Sequence, residues 1–197
     1  MTTKTNIEIA RILATSRHCA LSREQVHRLA DALECKKYKK GERLLDENEV
    51  CTSLRYIEKG MTRQFYFKYE KDLTEHIAYE GGIVVCLESY LKSEPTKLMI
   101  EALENCIVWE LPKEAIERFA LEDAGLGVWY RKVFEESLIE SQIKADTLRF
   151  EPAHERYLKL MQLHPEILKR APLVYIASLL QMSPETLSRV RSAALNG

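Results

Sequence analysis

The 197 residues contain no Cys-x-x-Cys pair, no long apolar run and almost no net charge. Each absence excludes a class of protein. The five cysteines (Cys19, Cys35, Cys51, Cys86 and Cys106) are scattered and odd in number. That is the usage of reduced cytoplasmic thiols, and it argues against a disulfide scaffold or a metal centre. No apolar stretch reaches the roughly 18 residues of a spanning helix, so no membrane partner is expected. The opening MTTKTNIEIARIL breaks its apolar positions with charges and lacks the layout of a signal peptide. A cytoplasmic location is the expectation. No P-loop, no Ser/His/Asp spacing and no acidic metal cluster stands out. Gly81-Gly82 reads as a turn rather than a phosphate loop. The chain is expected not to be an enzyme, with no catalytic residues and no metal ligands.

The net charge of −1 is unevenly distributed. Residues 151–197 hold six Lys/Arg and four Asp/Glu, whereas the first 150 hold 23 and 26. A local positive face is enough to meet phosphates, but a module this weakly charged binds tightly only as two copies.

What is present is concentrated near the C-terminus. Leu173 to Val190 reads LVYIASLLQMSPETLSRV. Ile176, Ala177 and Leu180 form the inner face of a first helix, and Met182 plugs a turn. Ser183 is an N-cap with Pro184 at the first helical position. Leu187 and Val190 return at i, i+3 spacing to bury a second helix on the first. This is the pattern of a helix-turn-helix, with Gln181 at a turn position usually held by glycine. Glu185, Thr186, Ser188, Arg189 and Arg191 are left facing outward. Such residues at the start of an exposed helix suit a B-DNA major groove. The plainer alternative is an ordinary helical hairpin closing a core.

Upstream, IEIARIL is amphipathic and Ser22 caps a second helix ending near Leu33. Strand character begins at Tyr38 and continues in short segments to about Trp109, which suggests a small antiparallel roll. LRYIEKG and MTRQFYFKYE read as a hairpin with Gly60 at its corner. Helix returns at Lys113–Leu121 and again from Leu126 to Phe150. On the longer helix Phe134, Leu138, Ser141, Ala145 and Leu148 form a heptad-like stripe, read as a homodimer seam or as a face packed on the roll. Phe150-Glu151-Pro152 ends that helix. Three parts are expected: a sensor domain over 1–125, a dimerisation helix over 126–150 and a DNA-binding domain over 151–197.

This order of parts resembles the cyclic-AMP receptor protein/Fnr superfamily. The resemblance is carried by YKKGERLLDENEVCTSLRYIEKGMTRQFY, EALEN and SPETLSRVR. It implies an α+β fold: a cyclic-nucleotide-binding-type β-roll (jelly roll), a long dimerisation helix and a winged-helix-like C-terminal domain. It also implies a dimeric transcription regulator whose partners are double-stranded DNA, a second copy of the chain and RNA polymerase. Only His164 to Pro172 lies where the family carries its β-wing. By resemblance Glu185 accepts from cytosine N4 and Arg189 pairs with guanine O6 and N7. Pro184 stands where the family often has Arg, which removes one guanine contact. Ser183 and Thr186 match phosphate-touching positions. An i, i+4 salt bridge is the competing reading for Glu185 and Arg189.

The family's ligand cassette is where the pattern breaks. Its Gly-Glu-Leu start corresponds here to Val85, Cys86 and Leu87, and its Arg-Ser/Thr pair to the region of Thr96 and Lys97. Glu88 is a candidate for a ribose contact, Thr96 and Lys97 for an anion, and Ser141 and Gln142 for base contacts from the dimer helix. A cyclic nucleotide is not expected; an unidentified small-molecule effector, or none, is. His76 and Cys86 do not make a haem site, because a lone strand histidine is usually structural. The alternative function is a small-molecule sensor acting through a protein partner with weakened DNA binding.

Overall fold

The computed structural model describes residues 3–196. Two capping boxes start the chain's helices. Thr5 Oγ1 accepts from the Glu8 N–H while the Glu8 carboxylate accepts from the Thr5 N–H, opening α1 (Asn6–Ser16). Ser22 and Gln25 do the same for α2 (Arg23–Ala32). Each box satisfies two N–H groups that a helix start leaves bare.

Eight strands follow: β1 (Glu34–Tyr38), β2 (Arg43–Leu45), β3 (Ser53–Lys59), β4 (Met61–Lys68), β5 (Lys71–Tyr79), β6 (Ile83–Val84), β7 (Met99–Ala102) and β8 (Cys106–Pro112). They form two antiparallel four-stranded sheets, ordered β1-β8-β3-β6 and β2-β7-β4-β5. The first strand begins at Glu34, four residues before the sequence reading placed it, because Glu34 to Tyr38 pair with Glu110 to Cys106.

The expected β3–β4 hairpin is not formed. Gly60 does turn the chain, but β3 pairs with β6 and β8 while β4 pairs with β5 and β7. The corner passes the chain from one sheet to the other. Gly60 has φ +96°, and a Cβ there would meet Cys106 Sγ at 2.6 Å and the Asn105 carbonyl at 2.8 Å. Only glycine fits both demands. The tight hairpin is β4–β5, turned by Tyr69 and Glu70, both at positive φ.

A short helix α3 (Leu87–Lys92) bridges β6 and β7. After β8 come α4 (Lys113–Glu122) and α5 (Ala124–Phe150). Asp123 caps α5 by accepting from the Gly125 and Leu126 N–H groups. α5 buries Leu126, Trp129 and Val133, and Trp129 Nε1 donates to the Leu13 carbonyl. Past Val133 the helix leaves the core, and Leu138, Ile139 and Ile143 are 64%, 58% and 53% exposed. Phe134 alone of the heptad-like stripe packs against the core, stacking on Tyr90 and Tyr130.

The C-terminal region is α6 (Ala153–Leu163), α7 (Pro165–Arg170), α8 (Leu173–Leu179) and α9 (Pro184–Asn196). Among the described residues it contains no strand, and α7 occupies the short stretch left for a wing. Its apolar cluster crosses into the roll: Tyr157, Ile167, Ile176 and Leu187 are buried together with Met61, Ile77 and Leu103. α8 thus rests on β5, and the Thr74 N–H donates to Ser178 Oγ at 2.8 Å.

Candidate nucleic-acid interface and sensor cassette

The turn between α8 and α9 is built from backbone geometry. The Met182 N–H reaches back to the Ala177 carbonyl, and the Gln181 N–H to the Ser178 carbonyl, both at 3.0 Å. Those two bonds are the Schellman pattern, which requires a left-handed residue between helix and exit. Gln181 supplies it at φ +50°. Arg156 Nη2 donates to the Gln181 carbonyl at 3.4 Å and braces the turn. Ser183 Oγ then accepts from the Thr186 N–H at 3.2 Å and starts α9.

Leu187 is buried and Val190 half-buried on the inner side of α9. Ser183, Glu185, Ser188, Arg189 and Arg191 are exposed; Thr186 is half-buried. The Glu185–Arg189 salt bridge is not formed. Arg189 Nη2 donates to Thr186 Oγ1 at 3.3 Å, which in turn accepts from Ser183 Oγ. The Ser183 hydroxyl, the backbone N–H and the nearby Arg189 charge hold the Glu185 carboxyl below its ordinary value. Glu185 carries its charge on an open helix start, as an acceptor for an exocyclic amine.

The other bases of this region are engaged. Lys159 contacts Glu151 and Lys169 contacts Glu166. Arg170 makes a bidentate pair with Glu80 (2.7 and 3.0 Å) and a second with Glu104 (3.0 and 2.6 Å), both acids on the roll. Among the described residues, Arg189 and Arg191 have no carboxylate partner.

The cassette lies between β6 and β7. Gln64 Nε2 donates to the Val85 carbonyl at 3.0 Å and lies 3.4 Å from Cys86 Sγ, so β4 reaches across to the other sheet. Cys86 is buried and Leu87 half-buried. Glu88 projects outward and pairs with Lys92 at 2.7 Å. Thr96 Oγ1 accepts from the Leu98 N–H at 2.9 Å. Lys97 is exposed. Ser141 and Gln142 stand on the exposed half of α5, where Gln142 Nε2 donates to Asp146 Oδ1. Ser141 lines a separate cleft of about 350 Å³ with Glu75, Lys144 and Gln181.

Two buried clusters were not evident in the sequence. Arg55 and Glu110 form an ion pair at 3.2 Å, completed by Lys36, Tyr38 and Ser53. Burial pushes the Glu110 carboxyl up, but Arg55, Lys36 and Tyr38 outweigh it and hold the group below its ordinary value. Arg63, 3% exposed, is held by Asp72 and Glu101 and lies between the rings of Phe65 (4.0 Å) and Tyr175 of α8 (3.5 Å). Most of their partners lie far apart along the chain, so it takes the pairing of β1, β3 and β8 in one sheet and of β4, β5 and β7 in the other to assemble them.

Residues 35–123 match the cyclic nucleotide-binding domain family. Solved structures extend the likeness over nearly the whole chain. FixK2 from Bradyrhizobium japonicum is 19% identical with a TM-score of 0.67, over 83% of this chain and 85% of that one. A structure assigned to the crp/fnr family of transcriptional regulators from Eubacterium rectale is 18% identical with a TM-score of 0.67, over 90% and 85%. The fold is that of the CRP/FNR regulators. CLP, the c-di-GMP responsive global regulator of Xanthomonas campestris, shares this CRP/FNR fold at 16% identity and a TM-score of 0.65, over 89% and 92%. No curated protein sequence matches the chain. No helix among the described residues is long and apolar enough to cross a membrane.

Proposed function

We propose that this protein is a sequence-specific DNA-binding transcription regulator of the cyclic-AMP receptor protein/Fnr type, not an enzyme. It works as a homodimer through α5. One observation carries the reading: the start of α9 presents Glu185, Ser188, Arg189 and Arg191 to solvent on a capped and braced helix. The dimer seam is the exposed apolar half of α5, where Leu138, Ile139 and Ile143 lack cover and Ser141 and Ala145 permit close approach. The effector is a small molecule other than cyclic AMP. Support comes from the cassette, where Cys86 replaces the acidic residue, Glu88 is paired at the surface and Thr96 Oγ1 is used internally.

The test is selection of genomic fragments by the purified protein at two salt concentrations. The expected result is a two-fold-symmetric site with half-sites about 34 Å apart. Affinity should fall steeply with salt, the log–log slope growing by about 0.9 per phosphate contact. A second reading, a sensor acting through a protein partner, is favoured by the engagement of Arg170 with Glu80 and Glu104, which leaves few free cations near α9. No enrichment, or a nearly flat salt dependence, would support it.

A further inference from the structure

A cleft of about 450 Å³ opens between α1 and α2, and no residue of the cassette between β6 and β7 lines it. Helical spacing builds its rim. Arg11 and Thr15 stand one turn apart on α1, Arg23 and His27 one turn apart on α2, and all four are exposed. The floor is apolar: Ala14 and Val26 are buried, and Cys19 and Leu21 are half-buried. No carboxylate lines the cleft. Glu8, one turn from Arg11, is committed to the Thr5 N–H and hydroxyl. Arg17 and Arg28, in the same two-helix unit, pair with Glu136 and Glu122. Among the described residues, Arg11 and Arg23 have no carboxylate partner. The first turn of α2 also lines the cleft, and its dipole adds positive potential there.

We propose that this cleft binds a small organic anion, a monocarboxylate carried on a short apolar body. The Arg11 and Arg23 guanidinium groups take the carboxylate, since each planar fork matches two carboxylate oxygens. Thr15 and His27 add polar contacts at the rim, and the apolar body lies over Ala14, Val26 and Leu21. The volume falls within the roughly 300–1,000 Å³ of small-molecule pockets. A bare inorganic anion would leave the apolar floor wet, and a neutral chain would leave both guanidinium groups unused.

The α1–α2 turn that forms one wall is pinned to α5. Lys132 Nζ donates to the Arg17 and His18 carbonyls at 3.4 and 3.3 Å, and the Arg17–Glu136 pair closes to 2.6 Å. Trp129 Nε1 donates to the carbonyl of Leu13, the residue before Ala14 of the floor. An occupant therefore bears on α5 through this turn. The proposal does not rest on DNA binding or on the dimer seam.

The experiment titrates the full chain with sodium octanoate by calorimetry, with inorganic phosphate and octan-1-ol as the anionic and apolar halves of the ligand. In parallel, iodoacetamide labelling read by mass spectrometry follows Cys19, which lines the cleft, against Cys35, exposed on the edge strand β1. Octanoate is expected to saturate one site per chain and to slow Cys19 alkylation severalfold, leaving Cys35 unchanged. Phosphate and octan-1-ol each bind about tenfold or more weakly than octanoate. Arg11→Gln and Arg23→Gln each weaken octanoate about tenfold, and both keep the wild-type melting temperature because both side chains are exposed. No saturable octanoate binding overturns the proposal. So does binding that survives Arg11→Gln and Arg23→Gln together, or that leaves Cys19 alkylation unchanged. Phosphate or octan-1-ol binding as tight as octanoate overturns the assigned ligand class.

Discussion

Gln181 holds a left-handed conformation that a β-carbon disfavours by roughly 1–2 kcal/mol. Gln181→Gly relieves that strain but frees the unfolded chain, so a net gain of up to about 1 kcal/mol is expected in a urea melt. Arg189 has the opposite profile. Its loss leaves the fold intact, because among the described residues its one side-chain hydrogen bond is to the Thr186 hydroxyl. Arg189→Ala should remove about 1–3 kcal/mol of discrimination between a selected site and a single-base variant in competition binding. His76 reports on pH. Burial pushes it from 6.5 down to about 4, with Lys144 and His164 adding and Glu75 opposing. The unfolded chain takes up this proton as pH falls below 6.5, while the fold resists it until about 4. Stability therefore drops through that window, by about 2–3 kcal/mol from this group. His76→Gln should show a shallower fall in urea midpoint between about pH 7 and about pH 4.5.

Elements were legible where their signals are local. Ser22, and Ser183 with Pro184, were readable as helix starts because a cap acts within three residues, and both helices begin there. Gly60 was legible as a corner but not as the corner between two sheets, because strand partners far along the chain decide the pairing. The same distance hid Arg55–Glu110 and Arg63–Tyr175. The outward residues of α9 were readable because helical periodicity alone places them. Gly60→Ala tests the corner: with Cys106 Sγ and the Asn105 carbonyl in the way and φ at +96°, it should destabilise the roll by more than about 2 kcal/mol in thermal melts.

At the scale of the whole molecule, two contacts decide how the parts answer one another. Arg170 bridges α7 to Glu80 and Glu104, and Arg63 packs β4 against Tyr175 of α8. Arg170→Ala should loosen the C-terminal helices without unfolding the roll, seen as faster amide exchange in α8 and faster proteolysis near Glu151. In the proposed homodimer the exposed half of α5 forms the seam. Ile143→Asp should shift the chain toward monomer in sedimentation while leaving its melting temperature nearly unchanged, since Ile143 is 53% exposed in the single chain.

The cluster that joins Met61, Ile77 and Leu103 to Ile176 and Leu187 also bears on engineering. Cut away at Pro152, the last helices would lose part of their apolar floor, and the strands above would lose their cover. The helix-turn-helix is not a portable cassette. Grafted onto another domain, it would need a replacement for the sheet it sits on, and a chimera should keep β4 and β5 with it.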